Sequence, residues 1–255
     1  LLKRKKKKTE NNVGKIKWEI IQENEQWLAV NKPAGLLSVP DREQSEPSLK
    51  DLLQERYGKI WTVHRLDKPT SGILIYARTE SSHQWLSKQF EERKVDKIYY
   101  GLVSGTPVHP SGMIDMPIME HPGKPSTYIT HAKGKPSQTS YEVISSFGSY
   151  SWLKFQLHTG RTHQIRVHLQ YLGNPLAADE LYSNSNSLML SSIKRKKFKL
   201  SLADEEEKPL LSRLALHAAS LSFTDQRGIV YNLEVPLPKD LTATLKQLEK
   251  WSRKN

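Results

Sequence analysis

Cysteine is absent from this chain of 255 residues. Disulfide scaffolds, thiolate zinc sites and cysteine nucleophiles are thereby excluded, and a cytoplasmic address is expected. Long apolar runs are missing as well: no stretch approaches the roughly 20 residues of a membrane span. No apolar segment follows the basic N-terminus, so a secretory signal is not expected. Acidic residues are in deficit, 27 against 39 Lys and Arg, which leaves a formal charge of +12. Phosphate-cradling patterns are lacking: there is neither G-x-G-x-x-G after a strand nor G-K-[ST]. No G-x-S-x-G elbow and no H-E-x-x-H pair occurs either. The residues therefore call for no nucleotide cofactor and no metal.

What is present begins with charge. Lys3, Arg4, Lys5, Lys6, Lys7 and Lys8 stand in one run. Residues 1–12 read as a basic, disordered tail, either solubilising or an arm for a phosphate backbone. Residues 13–255 read as one domain, with globular patterning from near Lys15. Mean hydropathy is low, −0.63, but a chain of this length still buries a sizeable core.

Two apolar runs around Glu23-Asn24-Glu25 predict a hairpin. Ser48 is placed to cap a helix carrying Leu49, Leu52, Leu53 and Tyr57, and Thr79 another carrying Trp85, Leu86 and Phe90. Strands are expected at 73–77, 97–103, 139–147 and 151–158, and a hairpin over 214–235. A helix is expected over 161–172, with Ile165, Leu169 and Leu172 on its core stripe and Gly173 as its stop. His163, Arg166 and Gln170 would then share a polar face. The Ser- and Lys-rich stretch 183–212 reads as an insertion with one exposed strand near 190–200. Residues 239–252 close the chain as a helix. Strands outnumber helices and seldom alternate with them, which predicts an α+β fold with a mixed, mainly antiparallel sheet and helices against it.

Three places could carry chemistry. Asp67 sits between Arg65 and Lys68 on a loop bent by Pro69 and Ser71-Gly72 before an apolar strand. A neighbouring arginine would keep it ionised, which suits a nucleophile better than a general acid. An ordinary loop ion pair is the plain alternative. The second place is Thr159-Gly160-Arg161-Thr162-His163-Gln164-Ile165-Arg166-Val167-His168. Its histidines, with His158, recur every five residues, which does not stack on a helix face. Arg161 and Arg166 could meet phosphates or hold a carboxylate. The third is Lys97-Ile98-Tyr99-Tyr100-Gly101, where alternation sends one tyrosine to the core and offers the other for stacking on a base.

Taken together, these segments resemble the RluA-type pseudouridine synthases. VHRLDKPTSGILIYAR at 63–78 is similar to that family's catalytic motif. NKPAGLLSVP at 31–40, KIYYGLVSG at 97–105, TGRTHQIRVHLQYLGNPL at 159–176 and RLALHAASLSF at 213–223 stand in family order. The resemblance implies a single catalytic domain with a central RNA-binding cleft. It implies an isomerase that turns uridine in rRNA or tRNA into pseudouridine by base flipping, without cofactor or metal. It makes Asp67 the catalytic carboxylate, Tyr99 the ring beneath the uracil and Arg166 the partner of Asp67. Leu216 would pack on the base, and Arg65 would enter the RNA stack where the base has left. His64, Thr70, Arg161, His163 and Gln164, in the same motifs, are expected substrate contacts. RNA is the expected partner, with no membrane and a monomer as the working state.

Two departures stand out. Ala178 precedes Asp179 where the family often has glycine, so the loop is expected to differ there and Asp179 is not counted in the site. About a dozen residues precede the core, too few for the N-terminal S4 domain that many relatives carry. The competing reading is a catalytically silent RNA-binding or ribosome-assembly module on the same fold. A nucleoside or glycoside hydrolase is a third, and the lack of a second outstanding carboxylate speaks against it.

Overall fold

A computed structural model describes residues 10–13, 16–194, 198 and 206–252. The lysine run at 3–8 lies outside the described residues. In chain order the strands of the first half are β1 (Glu10–Val13), β2 (Ile16–Glu23), β3 (Trp27–Lys32), β4 (Trp61–Thr62), β5 (Ser71–Ala77) and β6 (Asp96–Ser104). The later strands are β7 (Ser111–Asp115), β8 (Ile118–Glu120), β9 (Tyr128–Thr130), β10 (Gln138–Ser146), β11 (Tyr150–Leu157), β12 (Leu216–Thr224) and β13 (Val230–Glu234). The helices are α1 (Leu49–Tyr57), α2 (Glu80–Glu91), α3 (Gln164–Tyr171), α4 (Leu190–Lys194) and α5 (Lys239–Ser252). The fold class is α+β, with mainly antiparallel strands and flanking helices. The chain clusters into two compact units, Leu1–Val95 with Ser220–Val235 and Asp96–Ala219 with Pro236–Asn255.

In the first unit β1, β2, β3 and β5 pair antiparallel in that order, with β4 also on β5. The first three residues of β1, Glu10 to Asn12, are ones that composition alone assigns to the tail. The β2–β3 turn forms because Asn24 Oδ1 accepts the Gln26 and Trp27 N–H groups at 2.8 and 2.9 Å, an Asx turn. β5 is buried at all seven positions, which is why it reads as one apolar run without alternation. Ser48 and Asp51 close a capping box on α1, and Thr79 caps α2. Trp27, Ile73, Ile75, Leu86, Leu221 and Phe223 share this unit's core. Trp85 does not join the buried side of α2; it is 39% exposed and its Nε1 donates to the Thr224 carbonyl.

In the second unit β6, β11, β10 and β7 pair antiparallel in that order, and β8 with β9 forms a separate hairpin. Gly101 is needed for close approach: a Cβ there would stand 2.7 Å from Leu176 Cδ2 and 2.9 Å from the Ala215 carbonyl oxygen. Leu102, Trp152, Leu241 and Leu248 form one core cluster under α5.

Two expectations fail here. The helix expected over 161–172 starts only at Gln164, because His163 is left-handed with φ 57° and cannot continue it inward. His163, Arg166 and Gln170 therefore share no polar face: His163 precedes the helix, Arg166 is buried and Gln170 is exposed. Every residue from 164 to 169 is buried, so the helix is covered on more than its apolar stripe. Of the strand expected near 190–200, residues 190–194 form the short helix α4 instead, and 195–197, 199 and 200 lie outside the described residues. Leu188 and Leu211 bridge the two ends of this segment and are both buried.

Candidate active site

The loop from Val63 to Gly72, in the first unit, is held from below by buried polar groups. Ser38 Oγ donates to the Leu66 carbonyl at 2.7 Å and accepts the Leu66 N–H at 3.1 Å. Tyr76 Oη in turn donates to the Ser38 carbonyl at 2.6 Å, and burial pushes this phenol well above its ordinary pKa, so it remains a donor. Lys32 is fully buried. Its ammonium donates to the carbonyls of Pro33, Leu36 and Lys68 at 3.0, 2.8 and 3.1 Å. The residues on both sides of Asp67 are thus pinned. Thr70 N–H closes a turn onto the Asp67 carbonyl at 3.0 Å. Asp67 itself is half-buried, Arg65 is exposed and Thr70 is buried. His64 is a structural member of this loop: its Nε2 accepts the Ile75 N–H at 3.0 Å and its ring stacks on Phe90 at 4.5 Å.

Tyr99, Arg161, His163, Gln164, Arg166 and Leu216 belong to the second unit. Tyr99 faces Phe155 across β6 and β11 and is 7% exposed. Tyr100, on the other face, stacks on Trp152 with ring centroids 5.9 Å apart. Leu216 is buried at the start of β12. Arg161 is exposed, its Nε 3.3 Å from the Pro136 carbonyl.

Gln164 knits this unit together. Its Oε1 accepts from Thr159 Oγ1 and Arg161 N–H, and its Nε2 donates to the Gln138 carbonyl and Thr139 Oγ1. With all four bonds made inside the protein, its amide serves the scaffold. His168 continues the network, its Nδ1 at 2.9 Å from Thr139 Oγ1 and its Nε2 at 2.9 Å from the Met116 carbonyl. A carbonyl only accepts, so Nε2 carries a proton. Burial lowers the pKa of this imidazole, against the opposing pull of the Met116 carbonyl and Asp115.

Arg166 is held by a residue that the motif reading set aside. Its Nε and Nη2 donate to Asp179 Oδ2 and Oδ1 at 2.8 and 2.7 Å, a bidentate pair that is 4% and 0% exposed in its side chains. Ala178 adopts φ 55°, the left-handed conformation that a glycine would take without steric cost. The chain bends there despite its methyl group, and Asp179 reaches Arg166. Tyr182 completes the arrangement, with the Arg166 guanidinium carbon 4.9 Å from its ring centroid.

Residues 26–171 match the family described as RNA pseudouridylate synthase. The chain belongs to that family. It is 40% identical over 212 residues to a dual-specificity RNA pseudouridine synthase RluA of Vibrio vulnificus, covering 80% of this chain and 77% of that protein. The Escherichia coli K12 protein of the same description is 34% identical over 208 residues, covering 80% of this chain and 86% of its own. Among solved structures, human RNA Pseudouridylate Synthase Domain Containing 4 superposes with a TM-score of 0.70 at 25% identity, over 90% of this chain and 92% of that one. The family is of RluA type, and the enzyme is an isomerase acting on uridine in RNA.

Within this family framework the motif reading passed over Ser38, Lys32 and Tyr182 and set Asp179 aside. The buried lysine carried a faint signal, an Asn-Lys-Pro break at a strand end. Asp179 carried one as well, in the family's loop after the helix. Tyr182 had none.

Proposed function

We propose that the chain converts selected uridines of ribosomal or transfer RNA to pseudouridine, with Asp67 as its catalytic carboxylate. The observation that carries this reading is the pinned turn bearing Asp67. Lys32 holds the Lys68 carbonyl and Ser38 holds the Leu66 backbone, so the carboxylate between them starts from a preorganised backbone. That turn lies inside the stretch matched to the family.

The chemistry is an internal transfer. The N1–C1′ bond breaks, the uracil turns over, a C5–C1′ bond forms, and the C5 proton leaves to water while a proton returns to N1. Atoms balance without an added reactant. A uridine inside folded RNA hides C1′ and C5, so the nucleotide is flipped out first. In this reading Tyr99 stacks beneath the flipped base and Leu216 packs against it. Exposed Arg65 fills the gap left in the stack. Arg166, in this reading, is the partner of Asp67. The names of the Vibrio and Escherichia relatives, dual-specificity RNA pseudouridine synthase, support RNA as the substrate.

The test uses total cellular RNA labelled with tritium at C5 of uridine. Wild type is expected to release tritium to water. Asp67→Ala is expected to release none while its RNA affinity stays within about threefold, as for a group acting on the reacting atoms. Release by the variant at the wild-type rate would remove Asp67 from the chemistry.

A further inference from the structure

Resting on the reading that Arg166 serves the reacting centre, we infer that Tyr182 is a positioning residue for it. Its ring floors the guanidinium, and its hydroxyl ties that ring to His163 and to the β8–β9 hairpin.

The argument starts from what Asp179 leaves undone. A bidentate carboxylate fixes one edge of a guanidinium, but the group can still tilt about that edge. In the protein the face is covered by Tyr182, with Arg166 Cζ 4.9 Å from the ring centroid. Arg166 is 3% exposed and Tyr182 6%, so this cation–ring contact is largely dry, where it is strongest.

Edge and face come from one turn. Asp179 Oδ1 also accepts the N–H groups of Leu181 and Tyr182 at 3.1 and 3.3 Å. Ser183 N–H and Oγ both donate to the Asp179 carbonyl, at 3.0 and 2.8 Å. The carboxylate and the ring therefore move as a unit.

The far end of the ring is tied elsewhere. Tyr182 Oη accepts the Tyr128 N–H at 2.9 Å and shares a 2.8 Å hydrogen bond with His163 Nδ1. The His163 ring stands edge-on to both Tyr128 and Tyr182, with centroids 5.4 and 5.6 Å away. Tyr128 lies on β9 and His163 caps α3 in a left-handed conformation. A phenylalanine would fill the same space against Ile118 and Val167. The hydroxyl adds a tie to two other segments, while the surface against the guanidinium belongs to the ring alone.

The experiment is a single-turnover assay with enzyme in excess over the same C5-tritiated total RNA. It separates the saturating rate constant from the half-saturating enzyme concentration, and each variant is first checked for folding by thermal melting. Tyr182→Leu is expected to lower the saturating rate about 10- to 100-fold, the scale of a misplaced catalytic group, with little change in half-saturation. Tyr182→Phe, which keeps the ring, is expected to stay within about threefold of wild type in that rate. Pentafluorophenylalanine at position 182 keeps the shape and removes the negative ring face, so it is expected to be slower than Tyr182→Phe. This pair decides the matter if Tyr182→Leu does not fold.

Equal rates for the two ring variants, or a folded Tyr182→Leu with the wild-type rate, would overturn the inference. Arg166→Met is the control. If it is as fast as wild type, the reading of Arg166 fails, whatever Tyr182 does. If it is slow while the Tyr182 variants are fast, only the positioning role fails. No release by wild type would overturn the functional reading and this inference with it.

Discussion

Ala178 is a residue in a conformation it does not prefer. At φ 55° it bears the Cβ repulsion that glycine avoids. The bend persists because the next residue is over-determined: Asp179 is fully buried and takes both donors of Arg166 together with two backbone N–H groups. Ala178→Gly is therefore expected to raise unfolding stability by about 0.5–1 kcal/mol, because relief of the left-handed strain outweighs the extra freedom of the unfolded chain. Denaturant titration checks it. A lower midpoint would mean that the buried methyl contributes more than the strain costs. Gln164 and His168 make a related point. Both belong to the motif singled out for chemistry, yet their polar atoms are engaged by neighbouring backbone and Thr139.

Among the elements, α1 shows how short-range signals build the support of a site. Ser48 Oγ accepts the Asp51 N–H at 3.3 Å, and Asp51 Oδ2 accepts the Ser48 N–H at 2.9 Å. The helix so capped buries Leu49, Leu52 and Leu53. At its first residue, the Leu49 N–H donates to the Leu37 carbonyl at 2.8 Å, beside the Ser38 that clamps Leu66. Ser48→Ala is expected to cost about 1 kcal/mol and to lower the melting temperature by about 2–4 °C. An unchanged melting temperature would show that α1 is held by its buried leucines alone. α3 makes the opposite case. Its apolar stripe was visible, but the stripe says only that one side is covered. Arg166 and His168 are covered as well, by Asp179, Tyr182, Thr139 and Met116.

For the whole molecule the dominant quantity is charge, +12 in total. Among the described residues no helix is long and apolar enough to cross a membrane. The expected sites divide between the two compact units, Arg65, Asp67 and Thr70 in one and Tyr99, Arg166 and Leu216 in the other. Six of the positive charges stand at positions 3–8. If they meet phosphates, deleting residues 1–10 flattens the slope of log affinity against log salt by up to about 5, at roughly 0.9 per neutralised phosphate. Filter binding of total RNA across salt concentrations measures this. An unchanged slope would assign the run a solubilising role only.

By itself the sequence determined whatever rests on neighbours in the chain. The Asn24 turn and the Ser48 and Thr79 caps are set by side chains within a few positions of the backbone they serve, and β5 is legible as a continuous apolar run. The ordered family motifs specified the reaction class in the same way, because they are local strings. Tertiary structure alone decided that Arg166 is buried, that its bidentate partner is Asp179, and that Tyr182 lies against its guanidinium. Those contacts join α3 to a loop 13 residues further on, with an alanine bent into a glycine's conformation between them. Helical periodicity reports which side of α3 is apolar. It carries no information about what lands on the other side, and the burial of a charge depends on that arrival.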